Sequence, residues 1–371
     1  MTTFFVFGLT GDLMKKKGIP ALFELWKKGE LQDFQIIGMS RKIWNKTSIE
    51  NHVRDAIGLG KSESDIEQFS KLIDIIQGES HLGPYYYEAR DKIADSKLFV
   101  YLCVSPEFYG PIIQSLGQSG ILNKTEALLI EKPFGDSGPA ATHLQEKIFS
   151  FGFPEEKIYR IDHFLAKEAM NDLSSIDPEE VESIEVYLNE AFGVEKRGAM
   201  YDPVGAFRDV GQNHLLESAA AILGDRIQAL SALHILSPEE IKTHTARAQH
   251  VGYASIEGVA SSSRTETYFR VESWFEMLGH KIPLLLTSGK LVPSRREVVV
   301  TLRDGEKVIP FESGTNEYVT LFGEAFALDR SRFVSMHEVD ALWKFTDPIE
   351  ESWQKGEPPL ASYKPGELPS A

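Results

Sequence analysis

Phe4-Phe5-Val6-Phe7-Gly8-Leu9-Thr10-Gly11-Asp12-Leu13 (residues 4–13) reads as an apolar strand that runs into a glycine turn and then a helix. Its four apolar residues are continuous rather than alternating, as in a strand covered on both faces of a parallel sheet. Glycines in the turn let the backbone approach a pyrophosphate, and the helix N-terminus supplies donors and the positive end of its dipole. The spacing is G-x-x-G, not G-x-G-x-x-G, so a plain tight turn is the competing reading.

The same alternation continues to residue 160. Strands are expected at 3–7, 34–38, 97–104, 127–131 and 157–161, with amphipathic segments at 19–28, 49–57 and 108–116 between them. From about residue 180 the texture changes. Residues 181–191 alternate, with Ile184, Val186 and Leu188 on one face. A helix with Asp202 as N-cap and Pro203 at its first position is expected to run to about Leu223. Half-exposed antiparallel strands follow at 267–277, 281–288 and 297–303, then helices at 316–327 and 336–353 and an irregular, Pro-rich tail at 357–371. The expected fold is α/β followed by α+β. Residues 1–160 form a Rossmann-like, doubly wound parallel sheet, and residues 161–371 form an α+β domain on a mainly antiparallel sheet.

Composition excludes several classes. The 371 residues carry 39 Lys+Arg against 55 Asp+Glu, a formal charge of −16. Neutralising nucleic-acid phosphates needs a basic face, so neither nucleic acid nor an anionic membrane is an expected partner. The single cysteine, Cys103, excludes an internal disulfide framework and a Cys-rich metal site. No apolar run approaches the roughly 18 residues of a membrane span, and the N-terminus opens directly into a strand, so a cytoplasmic location is expected.

Five stretches could carry chemistry besides the glycine loop. Ser40-Arg41-Lys42 ends the second strand where an NAD site usually has an acid, and a hydroxyl with two cations suits a 2′-phosphate. Lys132 ends a buried strand and faces the ligand crevice unless it snorkels to the surface. Arg160-Ile161-Asp162-His163-Phe164-Leu165-Ala166-Lys167 packs Asp, His and Lys into one turn. His214 aligns at helical spacing with Phe207 and Val210, on an otherwise apolar face where a lone histidine is more often a core residue. Asp209 and Asn213 give that helix further polar positions. Lys290 and Arg295, five residues apart on a loop, could clamp a phosphate or could simply be exposed charge.

Taken together these motifs resemble the glucose-6-phosphate dehydrogenase family. The matching stretches are GLTGDLMKKKGIPALFEL (8–25), IIGMSR (36–41), EKPFG (131–135), YRIDHFLAKE (159–168), EAFGVEKRGAMYDPVGAFRDVGQNHLLE (190–217), IPLLLTSGK (282–290) and DPIEESWQKG (347–356). They follow the family order from end to end. The resemblance implies oxidation of the C1 hydroxyl of glucose 6-phosphate to the 6-phosphogluconolactone, the first step of the oxidative pentose phosphate pathway. NADP would be the cofactor, with NAD the weaker alternative and no metal required.

By the same resemblance His214 is the general base and Asp162 the carboxylate that supports it. Gly8, Thr10, Gly11, Asp12, Leu13, Ser40 and Arg41 would hold the cofactor, and Lys132 would stand between cofactor and sugar. Lys17, His163, Lys167, Glu190, Asp209, Lys290 and Arg295 would contact the substrate. The chain departs from the family at Phe164, where Tyr is usual, and at Ala166, where Gly is usual. Gly18 stands for a larger apolar residue, and Ala199-Met200 for Gly-Tyr. A long stretch of sheet is reduced to a short connection at 303–315. That region commonly builds a homodimer interface in the family, so the oligomeric state stays open. Two other readings are a sugar oxidoreductase of the glucose–fructose oxidoreductase type and a non-catalytic sugar-phosphate sensor.

Overall fold

The computed structural model describes residues 1–58, 60–79, 85–93, 96–311 and 314–369. Residues 312–313 of the short connection and 370–371 of the tail lie outside these. The chain divides into two compact units, Met1–Ala166 with Thr315–Met336, and Lys167–Gly314 with His337–Ala371.

Among the described residues the first unit holds a six-stranded sheet. Its strands are β1 (Thr2–Phe7), β2 (Phe34–Ser40), β3 (Ile73–Gln77), β4 (Lys97–Leu102), β5 (Thr125–Glu131) and β6 (Ile158–Ile161). They lie in the order β3-β2-β1-β4-β5-β6, every pair parallel. Successive side chains of one strand serve different cores. Phe4, Val6, Phe99 and Tyr101 join one buried cluster, and Phe5, Phe7, Val100 and Leu102 join the other. That is why the strand runs are continuously apolar. The strand order reverses beside β1, so the crevice at the carboxyl ends of β1 and β4 is the topological switch point where such sheets take ligands.

The unit's second segment was expected to belong to the other domain. Helix Glu317–Ala327 begins at Asn316, whose side chain accepts the Tyr318 N–H. It adds Tyr318, Leu321, Phe322 and Ala325 to the first cluster. Burying each large side chain is worth about 1.5–3 kcal/mol, and this fixes the segment's allegiance regardless of its sequence position.

The second unit is built on β7 (Val181–Glu190), β8 (Thr245–His250), β9 (Tyr268–Met277), β10 (His280–Lys290), β11 (Arg295–Leu302), β12 (Gly305–Pro310) and β13 (Leu360–Tyr363). The order is β12-β11-β7-β10-β9-β8-β13. The sheet is mixed and mostly antiparallel. β10 runs parallel to β7 and β13 parallel to β8, and the other pairs are antiparallel. The Pro-rich tail therefore contains a strand. The shortened connection forms a hairpin, with β12 as the edge strand against β11.

The helix expected after Pro203 starts later than the sequence implied. Gly205 lies at φ +80°, Ala206 already has helical backbone angles, and the π-helical segment opens at Phe207. Its N–H is accepted by Glu266 at 3.0 Å, from a segment 59 residues away. A Cβ on Gly205 would lie 2.3 Å from that carboxylate. Asp202 instead accepts from Ser263 Oγ at 2.5 Å and Ala260 N–H at 3.1 Å. The cap thus comes from tertiary structure, which a local sequence rule does not see.

Candidate active site

In the first unit the candidate residues gather at the carboxyl edge of the parallel sheet. β1 ends at Phe7, and Gly8 turns the chain at φ +90°. A Cβ there would lie 2.0 Å from the Cys103 carbonyl oxygen, so only glycine lets the loop pass. The Gly11 N–H closes the turn on the Gly8 carbonyl at 2.8 Å. Thr10, Gly11, Asp12 and Leu13 then lead into a π-helical turn, Met14–Gly18, and the α-helix Ile19–Lys27. Gly18 has its own reason. The Met14 sulfur lies 2.3 Å from where a Cβ would stand, so the methionine fills that space.

Ser40 ends β2, and its hydroxyl accepts the Lys42 N–H at 3.2 Å and the Trp44 indole N–H at 3.1 Å. Arg41 is exposed and forms no ion pair among the described residues. Lys17 pairs with Glu317 at 3.0 Å, and its carbonyl accepts from Asn316 at 2.8 Å. Lys17 is thus engaged with the inserted segment.

β5 ends in Glu131, and the half-buried Lys132 follows. Glu131 is a site-edge residue that the sequence reading did not single out. Its carboxylate accepts from Tyr101 at 2.6 Å and Tyr318 at 2.9 Å, and Tyr109 donates to its carbonyl at 2.9 Å. Burial pushes its carboxyl up to about 7, and the Asp162 charge adds to this. The two tyrosine hydroxyls and the Lys132 charge act the other way. The available signal was an acid at the end of a continuously buried strand, where charge needs partners.

β6 leads into Asp162, which is 1% exposed. Its Oδ1 accepts the Phe164 N–H at 2.9 Å and its carbonyl accepts the Leu165 N–H at 3.1 Å, so it organises the 3₁₀ turn His163–Ala166. Arg160 of the same motif is structural. It is buried, donates to both oxygens of Glu155 at 2.7 and 3.0 Å, and reaches the Val334 carbonyl at 3.3 Å. Arg332 holds the Leu165 carbonyl at 3.0 Å. Phe164 is buried edge-on to the half-buried His163 ring, with centroids 5.1 Å apart.

In the second unit Glu190 and Lys290 end the parallel neighbours β7 and β10 and stand directly opposite each other. Their side chains pair, and the Lys290 ammonium lies 3.8 Å from Asp209. It also faces the Tyr201 ring at 5.6 Å. Asp209 and His214 share the π-helical segment Phe207–Leu215. Its i→i+5 bonding places them about one turn apart, a spacing that 3.6-residue periodicity does not reveal. His214 is 2% exposed, its N–H is taken by Asn213 Oδ1 at 2.8 Å, and its carbonyl accepts from Ser218 Oγ at 2.6 Å. Lys167, 7% exposed, accepts the Met170 N–H on its carbonyl at 3.0 Å.

Arg295 does not join the Lys290 cluster. It pairs in register with Asn189, one residue before Glu190, so it leaves the opposite face of the sheet. Its guanidinium stacks 3.4 Å from the Tyr187 ring centroid and pairs with Glu297 at 2.7 Å. The pair expected as a loop clamp consists of two strand-end residues facing opposite ways.

These arrangements offer a backbone cradle for a pyrophosphate, an exposed cation beside it, and a buried ammonium with two half-buried acids suited to sugar hydroxyls. Residues 5–172 match the model of the glucose-6-phosphate dehydrogenase NAD binding domain, and residues 173–314 match that of the glucose-6-phosphate dehydrogenase C-terminal domain. Glucose-6-phosphate 1-dehydrogenase of Gluconobacter oxydans is 26% identical over an alignment of 458 positions, covering 97% of this chain and 93% of the relative. Since the chain has 371 residues, the relative carries stretches that it lacks. The crystal structure of glucose-6-phosphate 1-dehydrogenase from Mycobacterium avium superposes with a TM-score of 0.83 at 25% identity, covering 99% of this chain and 95% of that one. A glucose-6-phosphate dehydrogenase solved in complex with its substrate glucose 6-phosphate gives a TM-score of 0.89 at 22% identity, over 100% of this chain and 96% of the other.

Proposed function

The chain belongs to the glucose-6-phosphate dehydrogenase family, and from that premise we propose how its own residues oxidise the sugar phosphate. It is an oxidoreductase acting on C1 of glucose 6-phosphate with a nicotinamide cofactor. We assign NADP as the preferred cofactor. Gly8, Thr10, Gly11, Asp12 and Leu13 would carry the pyrophosphate, and Ser40 and Arg41 the 2′-phosphate. The cradle fits, because Gly8 lets the loop turn past the Cys103 carbonyl and Arg41 is exposed with no ion pair among the described residues. When bound, the nicotinamide accepts the hydride that leaves C1.

The chain's residues then have these tasks. An imidazole nitrogen of His214 takes the proton of the C1 hydroxyl. Asp162 holds the ring's tautomer and stabilises the imidazolium that forms. Glu190, Asp209 and Lys290 bind sugar hydroxyls, and Lys132 orients the reacting end. His163 and Lys167 take the phosphate, whose negative charge requires local cations on a chain of net charge −16. Lys17 and Arg295 can join them only by leaving Glu317 in one case and Tyr187 and Glu297 in the other. The observation that carries this reading is the cluster of buried Lys290 with half-buried Glu190 and Asp209 on the elements that flank His214. Such a cluster is costly unless a polar ligand uses it. Among the described residues no helix is long and apolar enough to cross a membrane; the cytoplasm is the location we propose.

Steady-state kinetics test the assignment. Glucose 6-phosphate should be oxidised far more efficiently than glucose or galactose 6-phosphate, and NADP should be preferred over NAD. Equal efficiency with glucose would remove the phosphate-binding role. Equal efficiency with NAD would remove the 2′-phosphate role of Arg41.

A further inference from the structure

Within the second unit a cavity of about 270 Å³ opens at the start of the π-helical segment, and three arginines line it, Arg208, Arg247 and Arg264. Arg247 is 4% exposed. Its Nε donates to the Pro358 carbonyl at 3.0 Å and its guanidinium faces Trp353, but its buried Nη2 has no hydrogen-bond partner. An orphaned guanidinium nitrogen bordering a cavity is unusual enough to ask what it binds. Arg208 lies 3.6 Å from Glu350 and donates to the Val204 and Pro203 carbonyls at 3.0 and 2.5 Å. Arg264 is exposed at the rim.

Three acids also line the cavity, Asp202, Glu266 and Glu350. Asp202 is committed to Ser263 and Ala260, and Glu266 to the Phe207 N–H. Glu350 is pushed up to about 8, first by burial and then by the charge of Glu266. The cavity thus presents the forked donors of Arg247 and Arg264, with the buried Arg247 Nη2 unpartnered, the chemistry that selects tetrahedral oxyanions.

We propose that this cavity binds a small phosphate-type oxyanion, either free inorganic phosphate or the phosphoryl group of a small ester, with Arg247 and Arg264 as its principal ligands. No residue of the proposed catalytic set lines it. Its occupant would grip the same loop that Glu266 and Arg208 hold, and this loop launches the helix bearing Asp209 and His214.

The test reads thermal unfolding, so it needs no turnover and stands apart from the catalytic reading. The whole protein is used without glucose 6-phosphate, which is itself a small phosphate ester and would compete for the cavity, and inorganic phosphate is titrated at constant ionic strength. Wild type should show a saturable rise in melting temperature larger than that of Arg247→Gln, any response of other phosphate subsites being common to both. Arg264→Gln, at an exposed position that tolerates change, should shift the midpoint at least about tenfold upward, since a charge-assisted hydrogen bond is lost. This second variant keeps the test decisive if Arg247→Gln fails to fold. The same rise in wild type and Arg264→Gln overturns the site, because it would reflect general salting. Glycerol 2-phosphate forms a second arm. Saturation at lower concentration than inorganic phosphate identifies an ester as the occupant, and the reverse order identifies the free anion. No saturable response to either also overturns the proposal.

Discussion

The Lys290 ammonium stands 3.8 Å from the Asp209 carboxylate while pairing with Glu190 across the parallel strands β7 and β10. One buried cation thus ties the sheet to the π-helical segment. Removing it leaves Glu190 without the cation it pairs with.

Lys290→Met should therefore destabilise the fold by about 3–5 kcal/mol, the usual consequence of deleting one partner of a buried pair. It should also raise KM for glucose 6-phosphate. Adding Glu190→Gln should restore part of the stability but none of the affinity. Urea unfolding and KM measurements check both. A Lys290→Met variant as stable as wild type would show that the pair carries little.

His214→Asn should lower kcat by about 10²–10⁴ with substrate binding nearly unchanged, because an amide does not take the proton. Asp162→Asn keeps an oxygen for the Phe164 N–H, so its turn should survive while turnover falls. If the two act as one unit, the double variant loses little more than the worse single variant. Fully additive losses would separate their roles.

Arg41→Ala should raise KM for NADP by about tenfold to a hundredfold, as expected for one lost charge-assisted contact, and leave KM for NAD unchanged. Equal effects on both cofactors would place the 2′-phosphate elsewhere.

Glu131 gives a pH prediction. In the folded chain its carboxyl keeps its proton up to about 7, against an ordinary 4.5. Between those values the unfolded chain binds fewer protons at this residue, so its contribution to stability falls as pH rises through that window and is level above it. The decline is of order 3 kcal/mol. Glu131→Gln keeps an acceptor for Tyr101 and Tyr318 and should abolish that decline. Urea midpoints from pH 5 to 8 should converge toward acid and diverge toward neutral pH. A constant gap between the two curves would mean that Glu131 does not titrate there.

Local signals carried much of the fold. The continuous apolar runs of β1, β4 and β5 and the glycine turn after Phe7 were readable because a strand buried on both faces leaves no room for polar residues. β3 was missed because its run, Ile73–Gln77, is short and places Asp74 and Gln77 outward. β8, β12 and β13 were missed because they hold few consecutive apolar residues. Glu266 as the cap of Phe207, Tyr318 as a partner of Glu131 and Glu317 as a partner of Lys17 come from distant sequence. Chain-local rules do not reach them. Arg295 was misplaced because strand register, not residue spacing, decides which face a side chain leaves.

The recruitment of Thr315–Met336 into the first unit bears on the order of events during synthesis. A ribosome delivers the six strands early, yet Tyr318, Leu321, Phe322, Ala325 and Phe333 arrive only after Lys167–Gly314 of the other unit has been translated. Until then the nascent sheet leaves uncovered the part of one apolar face that these residues pack on. A fragment ending at residue 166 should therefore aggregate when expressed alone, and the same fragment fused through a short linker to residues 315–336 should remain soluble.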